Sequence, residues 1–456
     1  MPDLKERALL LLTSLTVVFL VVRMIVASNE PSYSFVDDLT YVSSAIHLVL
    51  GEQCAAKAGN PCNYEHPPLA KLLMAAGFEI FGRTQTFGAN VGVGINQLGG
   101  RIFQIIMASF MAPITYLVVN RMSGNWKMAF LSGLFVLVDP LLFSLSLTAG
   151  LDVAMVYFGE LALLPYAYGS KFGALNSFYL TGFALGLSLL SKEAAIPIIL
   201  AVLSYNLLFG SGNPRERIRS SAQILLGTAA VFIVGLQIFD SAFTPFPTFL
   251  NQIEAMVSFH LGAGSAQIAF LTKGANCTLY TGLCPTNRSL VPHFLYSGLP
   301  LSLVQNTACT SCWAGTNPLD WLTYVPPVAF PTALLLVVNY PLVWMAFGWV
   351  PLGVLKSVRG KIDSDARPLM LAALIFLWNL ASNILIFSAL DRAVFEWYIL
   401  PAVPAFAIGG AYLLTRPRTP KWLLYVGTGV VVVVGLLLSP IVYHLLYPQP
   451  QYCSSC

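Results

Sequence analysis

Two adjacent carboxylates, Asp37 and Asp38, stand ten residues beyond a first apolar run. Further along come Glu65 and His66 before Pro67-Pro68, with Lys71 three residues later, then Arg101, Asp152, the Lys192-Glu193 pair, and Asp391, Arg392 and Glu396. Neighbouring carboxylates repel one another and raise one pKa, which a general acid or base can use. Such a pair can take the proton of an attacking hydroxyl. Cations at the same depth can hold and neutralise a departing phosphate.

Each of these residues also has a plainer use. Asp37-Asp38 could cap a helix starting near Leu39, a role that suits Asp and leaves catalysis open. His66-Pro67-Pro68 could begin an interfacial helix, because Pro is favoured in a first turn. Lys71 and Arg392 could snorkel to lipid headgroups. Lys192 and Glu193 could form an ion pair with each other. Asp139 and Glu160 lie deeper in apolar runs; helix-packing polar groups are the reading open to them, with no role assigned. His47, His260, His293 and His444 stand alone and read as structural or surface histidines.

The elements that must position these groups follow from composition. The chain has 456 residues, 57% hydrophobic and only 10% charged, with a mean hydropathy of +0.73. Soluble domains carry about 25% charged residues, so water is not the solvent for most of this surface. Disorder and nucleic-acid binding are excluded on the same grounds, since the net charge of +4 is not concentrated on one element. A polytopic membrane protein remains. Long unbroken apolar runs such as Phe172–Ser191 and Leu369–Leu390 favour helices over barrel strands.

The expected fold is therefore all-α, with about eleven transmembrane helices near 8–26, 99–120, 128–147, 152–169, 174–191, 194–211, 221–240, 328–355, 368–389, 397–415 and 422–444. The first run is read as a retained span rather than a signal peptide, because no small-residue cleavage site follows it cleanly. With the N-terminus cytoplasmic and the C-terminus outside, 15 of the 24 cations fall in short inside connectors, as the positive-inside rule requires. Two outside segments, 27–98 and 241–327, exceed connector length. In the first, Leu39–Leu50 and Leu69–Phe81 read as amphipathic helices at the interface. On this topology the non-cytoplasmic charges gather at one outer face, which is expected to carry a polar site.

Cysteine placement tests the topology independently. Cys54, Cys62, Cys277, Cys284, Cys309, Cys312, Cys453 and Cys456 all fall outside and form four close pairs. An oxidising compartment favours disulfides. The alternative joins Cys309-x-x-Cys312 and Cys453-x-x-Cys456 in a four-thiolate zinc site. Sequons at Asn276 and Asn287 lie on the same outer loop.

A hydroxyl-activating carboxylate, phosphate-binding cations and a site at the bilayer edge together suit glycosyl transfer from a polyprenyl phosphate sugar. Nothing resembles a nucleotide-binding Gly-rich loop leading into a helix, so a nucleotide sugar is disfavoured as donor. A transporter would favour internal repeats and broken helices at the midplane. A dead scaffold would not need Asp37, His66 and Lys71 intact.

Phe35-Val-Asp37-Asp38-Leu-Thr-Tyr41, Gly51, His66-Pro67-Pro68-Leu69-Ala-Lys71-Leu72-Leu73 and Phe81-Gly82 resemble the protein O-mannosyltransferase family. That family belongs to the GT-C membrane glycosyltransferases, as do the aminoarabinose transferases. Asp139-Pro140 to Leu151-Asp152, Gly182 to Lys192, Tyr398-Ile-Leu-Pro401 with Pro404, and Asn317-Pro318-Leu-Asp-Trp321-Leu322 look similar as well. The resemblance implies a single GT-C domain over 1–456 and an inverting transfer that needs no cofactor and generally no metal. The donor would be a dolichyl or polyprenyl phosphate sugar, mannose or another hexose. The acceptor would be a protein Ser/Thr hydroxyl, or alternatively a lipid or lipid-linked glycan. By motif position Asp37 would be the general base, with Asp38 in place of the usual Glu. His66, Lys71, Arg101, Lys192 and Arg392 would serve the donor and its phosphate. Glu65, Asp152, Tyr398 and Trp321 would shape the site or meet the acceptor. The expected location is the plasma membrane, with the site facing outward.

Overall fold

The computed structural model describes residues 3–29, 36–51, 63–81, 98–169, 174–244, 247–260, 328–329, 335–336, 338–359, 363–389 and 396–440, with backbone alone at 29, 36–39, 174–175, 328–329, 335–336, 358–359, 387–389 and 396–397. Helices dominate, and proline and polar caps mark where they stop. The first is α1 (Leu4–Asn29), followed by α2 (Val36–Val49) and α3 (Leu69–Phe81) in the segment expected to lie outside. The interfacial helices expected there are both helical, and α3 has the expected ends. Next come α4 (Ile102–Ser123), α5 (Trp126–Leu137), α6 (Pro140–Ser146), α7 (Asp152–Leu161), α8 (Leu163–Ala167) and α9 (Ala174–Ser191).

Between α5 and α6 the chain bends by 49°. Pro140 has no N–H to continue the ladder, and the Asp139 carboxylate restarts it by accepting the Leu142 N–H at 2.9 Å. Asp139, left without a role by the sequence, is thus a helix cap. Glu160, the other one, accepts a hydrogen bond from the Thr115 hydroxyl of α4 and so ties α7 to α4.

A 3₁₀ turn at Glu193–Ala195 leads into α10 (Ile196–Phe209) and α11 (Pro214–Phe243). Asn213 and Glu216 form a reciprocal capping box at the start of α11, satisfying two of its orphan donors. A helix α12 covers residues 249–260. Then follow β1 (Val328–Ala329) paired antiparallel with β2 (Leu335–Leu336), α13 (Tyr340–Arg359), α14 (Arg367–Ala389), a 3₁₀ turn at Glu396–Ala402, α15 (Val403–Thr415) and α16 (Lys421–Leu437).

Two expectations need correction. The eighth apolar segment was expected to be helical from residue 328, but the helix begins only at Tyr340, after the small β pair. Pro331 has no N–H to give a helix that started at 328. The fold is accordingly helical with one short strand pair, not strictly all-α.

Helix α4 packs against α1, α5 and α7, while α15 packs against α5, α13 and α14. Trp349 of α13 is fully buried, edge-on to Phe376 and Phe406. The outer surfaces of α1 and α11 instead present Leu10, Val17, Val18, Ile25, Leu226, Val234 and Ile238, a lipid-facing pattern. Among the described residues five helices are long and apolar enough to cross a membrane, or six with α5–α6 counted as one, and residues 193–209 and 421–437 form shorter apolar helices. The chain is a multi-pass membrane protein.

Candidate active site

The site is assembled from segments far apart in sequence. The turn before α3 supplies Asn63, Glu65 and His66. Asn63 adopts φ +46°, a left-handed conformation that Asn tolerates better than most residues, and its side-chain amide donates to Glu65. Pro67 and Pro68 then set α3 going, and its first turn carries Lys71.

Lys71 is completely buried. Its Nζ donates to the carbonyls of Asn63 and of His66, the latter at 2.8 Å. Burial pushes the ammonium down to about 7, against the raising influence of Glu65 and Glu193. Lys71 does not snorkel outward. It cross-braces the turn that presents His66.

The second contribution comes from the junction of α9 and α10. Lys192 is extended, at φ −161° and ψ 140°, so it and Glu193 meet different partners. Lys192 Nζ reaches both oxygens of Asp152 in the first turn of α7, at 2.8 and 3.0 Å. It also sits over the Tyr398 ring, 5.2 Å from the centroid. Burial would lower this ammonium, yet Asp152 chiefly, then Tyr398 and Glu193, raise it above its ordinary value. Glu193 meets the His66 imidazole instead, with Nδ1 at 2.9 and 3.1 Å from its two oxygens. Nε2 of His260, the last described residue of α12, lies 3.4 Å from the same carboxylate. Burial alone would raise the Glu193 carboxyl, but His66, His260 and Lys192 together hold it well below the usual range. The mutual Lys192–Glu193 ion pair is replaced by these two longer-range pairings.

Helix α2 closes one side, its Tyr41 ring edge-on to His66 at 5.8 Å. Asp37 and Asp38 lie in the first turn of α2, and Asp37 precedes Tyr41 by four residues, placing the two positions on one helix face. The side chains of Asp37 and Asp38 lie outside the described residues, as do Arg392, Trp321 and all eight cysteines (Cys54, Cys62, Cys277, Cys284, Cys309, Cys312, Cys453 and Cys456).

Arg101 is buried just before α4 and donates from Nη1 to the Ala27 carbonyl at 3.1 Å, clamping the last turn of α1. Sequence reasoning passed over Arg23, which is fully buried in α1, donates to Ser109 at 2.9 Å and lies over the Phe143 ring. A lone cation inside an apolar span was its available signal. His260 was also missed, because its partners are 67 and 194 residues away in sequence, at Glu193 and His66.

The arrangement of helices is the GT-C glycosyltransferase fold. The structure of the S. cerevisiae protein O-mannosyltransferase Pmt1-Pmt2 complex bound to the sugar donor is similar at a TM-score of 0.64 and 13% identity, over 100% of this chain and 93% of that one. ArnT from Cupriavidus metallidurans bound to undecaprenyl phosphate gives 0.53 and 17%, over 94% of this chain and 65% of ArnT. The Archaeoglobus fulgidus oligosaccharyltransferase gives 0.55 and 12%, over 96% and 56%.

At the sequence level, residues 62–238 match the profile of a family described as dolichyl-phosphate-mannose-protein mannosyltransferase, in line with the resemblance read from the motifs. An uncharacterized protein of Aquifex aeolicus is 26% identical over 197 residues, 42% of this chain and 36% of that protein. The chain thus matches about a third of the length of this curated relative.

Proposed function

We propose that the chain is an inverting glycosyltransferase that moves mannose or another hexose from a polyprenyl or dolichyl phosphate to a Ser/Thr hydroxyl of a protein. One observation carries this reading. The segment matching the mannosyltransferase family, 62–238, contains the His66 turn, Lys71, Asp152, Lys192 and Glu193, whose side chains converge into one largely enclosed polar cluster, open at Glu193.

In the proposed reaction the acceptor oxygen attacks the anomeric carbon and Asp37 takes its proton. The bond from that carbon to the phosphate oxygen breaks, and the polyprenyl phosphate leaves with the electron pair. Arg392 stabilises that phosphate, and Lys192, held by Asp152 over Tyr398, adds positive potential. Lys71 acts through the turn that it braces, keeping His66 in place. Arg101 holds α1 and so fixes the start of the loop leading to Asp37. The N-terminus is cytoplasmic, eleven helices span the bilayer, and the site faces outward at the plasma membrane, where polyprenyl phosphate sugars and secreted acceptors meet.

The test is transfer of radiolabelled sugar from polyprenyl-phosphate mannose by purified protein, with a Ser/Thr peptide and a lipid-linked glycan as rival acceptors. Label in the peptide supports the proposal. Label in the glycan alone moves the acceptor to the lipid class. Absence of transfer to either acceptor, with substrate movement across reconstituted vesicles, would replace the enzyme by a transporter.

A further inference from the structure

His66, Glu193 and His260 belong to three separate elements: the turn before α3, the 3₁₀ turn before α10, and the end of α12. Their ligand atoms all lie within 4.8 Å of one another. The two Glu193 oxygens stand 2.9 and 3.1 Å from His66 Nδ1, and one of them stands 3.4 Å from His260 Nε2. The imidazole rings are tilted by 52° with centroids 5.4 Å apart, so both turn a nitrogen toward one carboxylate instead of stacking.

From these contacts we infer that the His66–Glu193–His260 cluster is a site for a divalent transition-metal ion of the zinc class. Two imidazoles and one carboxylate are a donor set that zinc takes readily. Zinc bonds of 2.0–2.2 Å place tetrahedral ligands about 3.3 Å apart, close to the carboxylate–imidazole separations present. A divalent ion also supplies positive charge directly beside the Glu193 carboxylate.

Neighbouring cations leave room for it. The Lys192 ammonium is drawn to Asp152, and the Lys71 ammonium is turned to backbone carbonyls. The Glu65 carbonyl, 3.1 Å from His260 Nε2, offers a further oxygen. The side chains of His66, Glu193 and His260 are 13%, 28% and 15% exposed, which leaves a path for the ion and a fourth position for water. The ion would not take part in sugar transfer. It would clasp the end of α12 onto the turn before α3, beside Lys71 and Tyr41.

The experiment uses the full-length protein in detergent, stripped with EDTA and titrated with Zn²⁺ and Co²⁺. One equivalent of zinc is expected to bind and raise the melting temperature, with a tetrahedral cobalt visible spectrum free of thiolate charge transfer. Loss of one of three ligands weakens binding at least ~100-fold, more than outer-shell changes do, so Glu193→Gln and His260→Ala should both lose the zinc-induced shift. His47→Gln should keep it. If His260→Ala does not fold, the nearly isosteric Glu193→Gln reads the same loss. Three results overturn the inference: no ion bound by the wild type, zinc binding equal in Glu193→Gln and the wild type, or a thiolate–cobalt band abolished by Cys453→Ser, which would place the metal at the cysteine pairs.

Discussion

Lys192 and Glu193 show how one residue's company changes its chemistry. Adjacent in sequence, they diverge because Lys192 is extended, and each finds its counterion on another element. The Lys192–Asp152 pair is almost enclosed, its side chains 6% and 11% exposed. Removing one member of such a pair strands the other charge, at a cost of about 3–5 kcal/mol. Asp152→Asn should therefore lower thermal stability sharply, and the Asp152→Asn, Lys192→Met double variant should recover part of the loss. Thermal melts in detergent measure both, and additive losses would show that the two charges do not interact.

Asp37, His66 and Lys71 were singled out in the sequence because their motif is local. The partners of Glu193, the brace made by Lys71 and the burial of Arg23 were not, since each depends on which distant helix packs alongside. A histidine alone on a helix carries no sign of a carboxylate waiting on another.

At the scale of elements, α9 and α11 are the informative pair. Gly182 and Gly186, spaced four apart on α9, let the two backbones touch. A Cβ on Gly182 would stand 2.4 Å from the Ile224 carbonyl oxygen and 3.0 Å from the Gly227 Cα, and one on Gly186 would stand 2.9 Å from the Thr228 carbonyl oxygen. Small residues at this spacing are the usual means of close helix packing in lipid. Gly182→Leu should force α9 and α11 apart and destabilise the protein by about 1–3 kcal/mol, the range for overpacking. It should also reduce transfer, because α9 leads directly into Lys192 and Glu193. An unchanged melting temperature would show that this contact is not tight in the membrane.

Neither this spacing nor the breaks at Asp139-Pro140 and Asn213-Pro214 entered the expected spans. One span ran through 128–147, which the structure bends by 49°, and another started at 221 instead of Pro214. The β pair before α13 was not anticipated, because the apolar character of 328–355 outweighed Pro331 near its start. Helical pattern identifies an apolar segment well, but only backbone hydrogen bonding decides where its ladder can begin.

Across the molecule, much of the sparse charge among the described residues lies in connectors or in the polar cluster, while Arg23, Asp139 and Glu160 are buried between helices. Arg215, Arg217 and Arg219 crowd the first turns of α11 beside exposed connector residues 211–213, and the positive-inside rule predicts a cytoplasmic position for this end. A protease recognition sequence inserted between Gly210 and Asn213 should be cut from the cytoplasmic side of sealed vesicles and protected from the other. Reversed protection would invert the proposed topology and place the His66 turn, at the opposite end of the bundle, in the cytoplasm.

The central claim is that Asp37 accepts the proton of an attacking hydroxyl while sugar leaves a lipid phosphate. The most direct test compares initial rates of wild type and Asp37→Asn with polyprenyl-phosphate mannose and a Ser/Thr peptide, after confirming equal melting temperatures. General-base catalysis contributes about 10²–10⁴-fold, so the variant should fall by that factor with donor binding retained. Equal rates in the two proteins would contradict the assignment of Asp37 as the base.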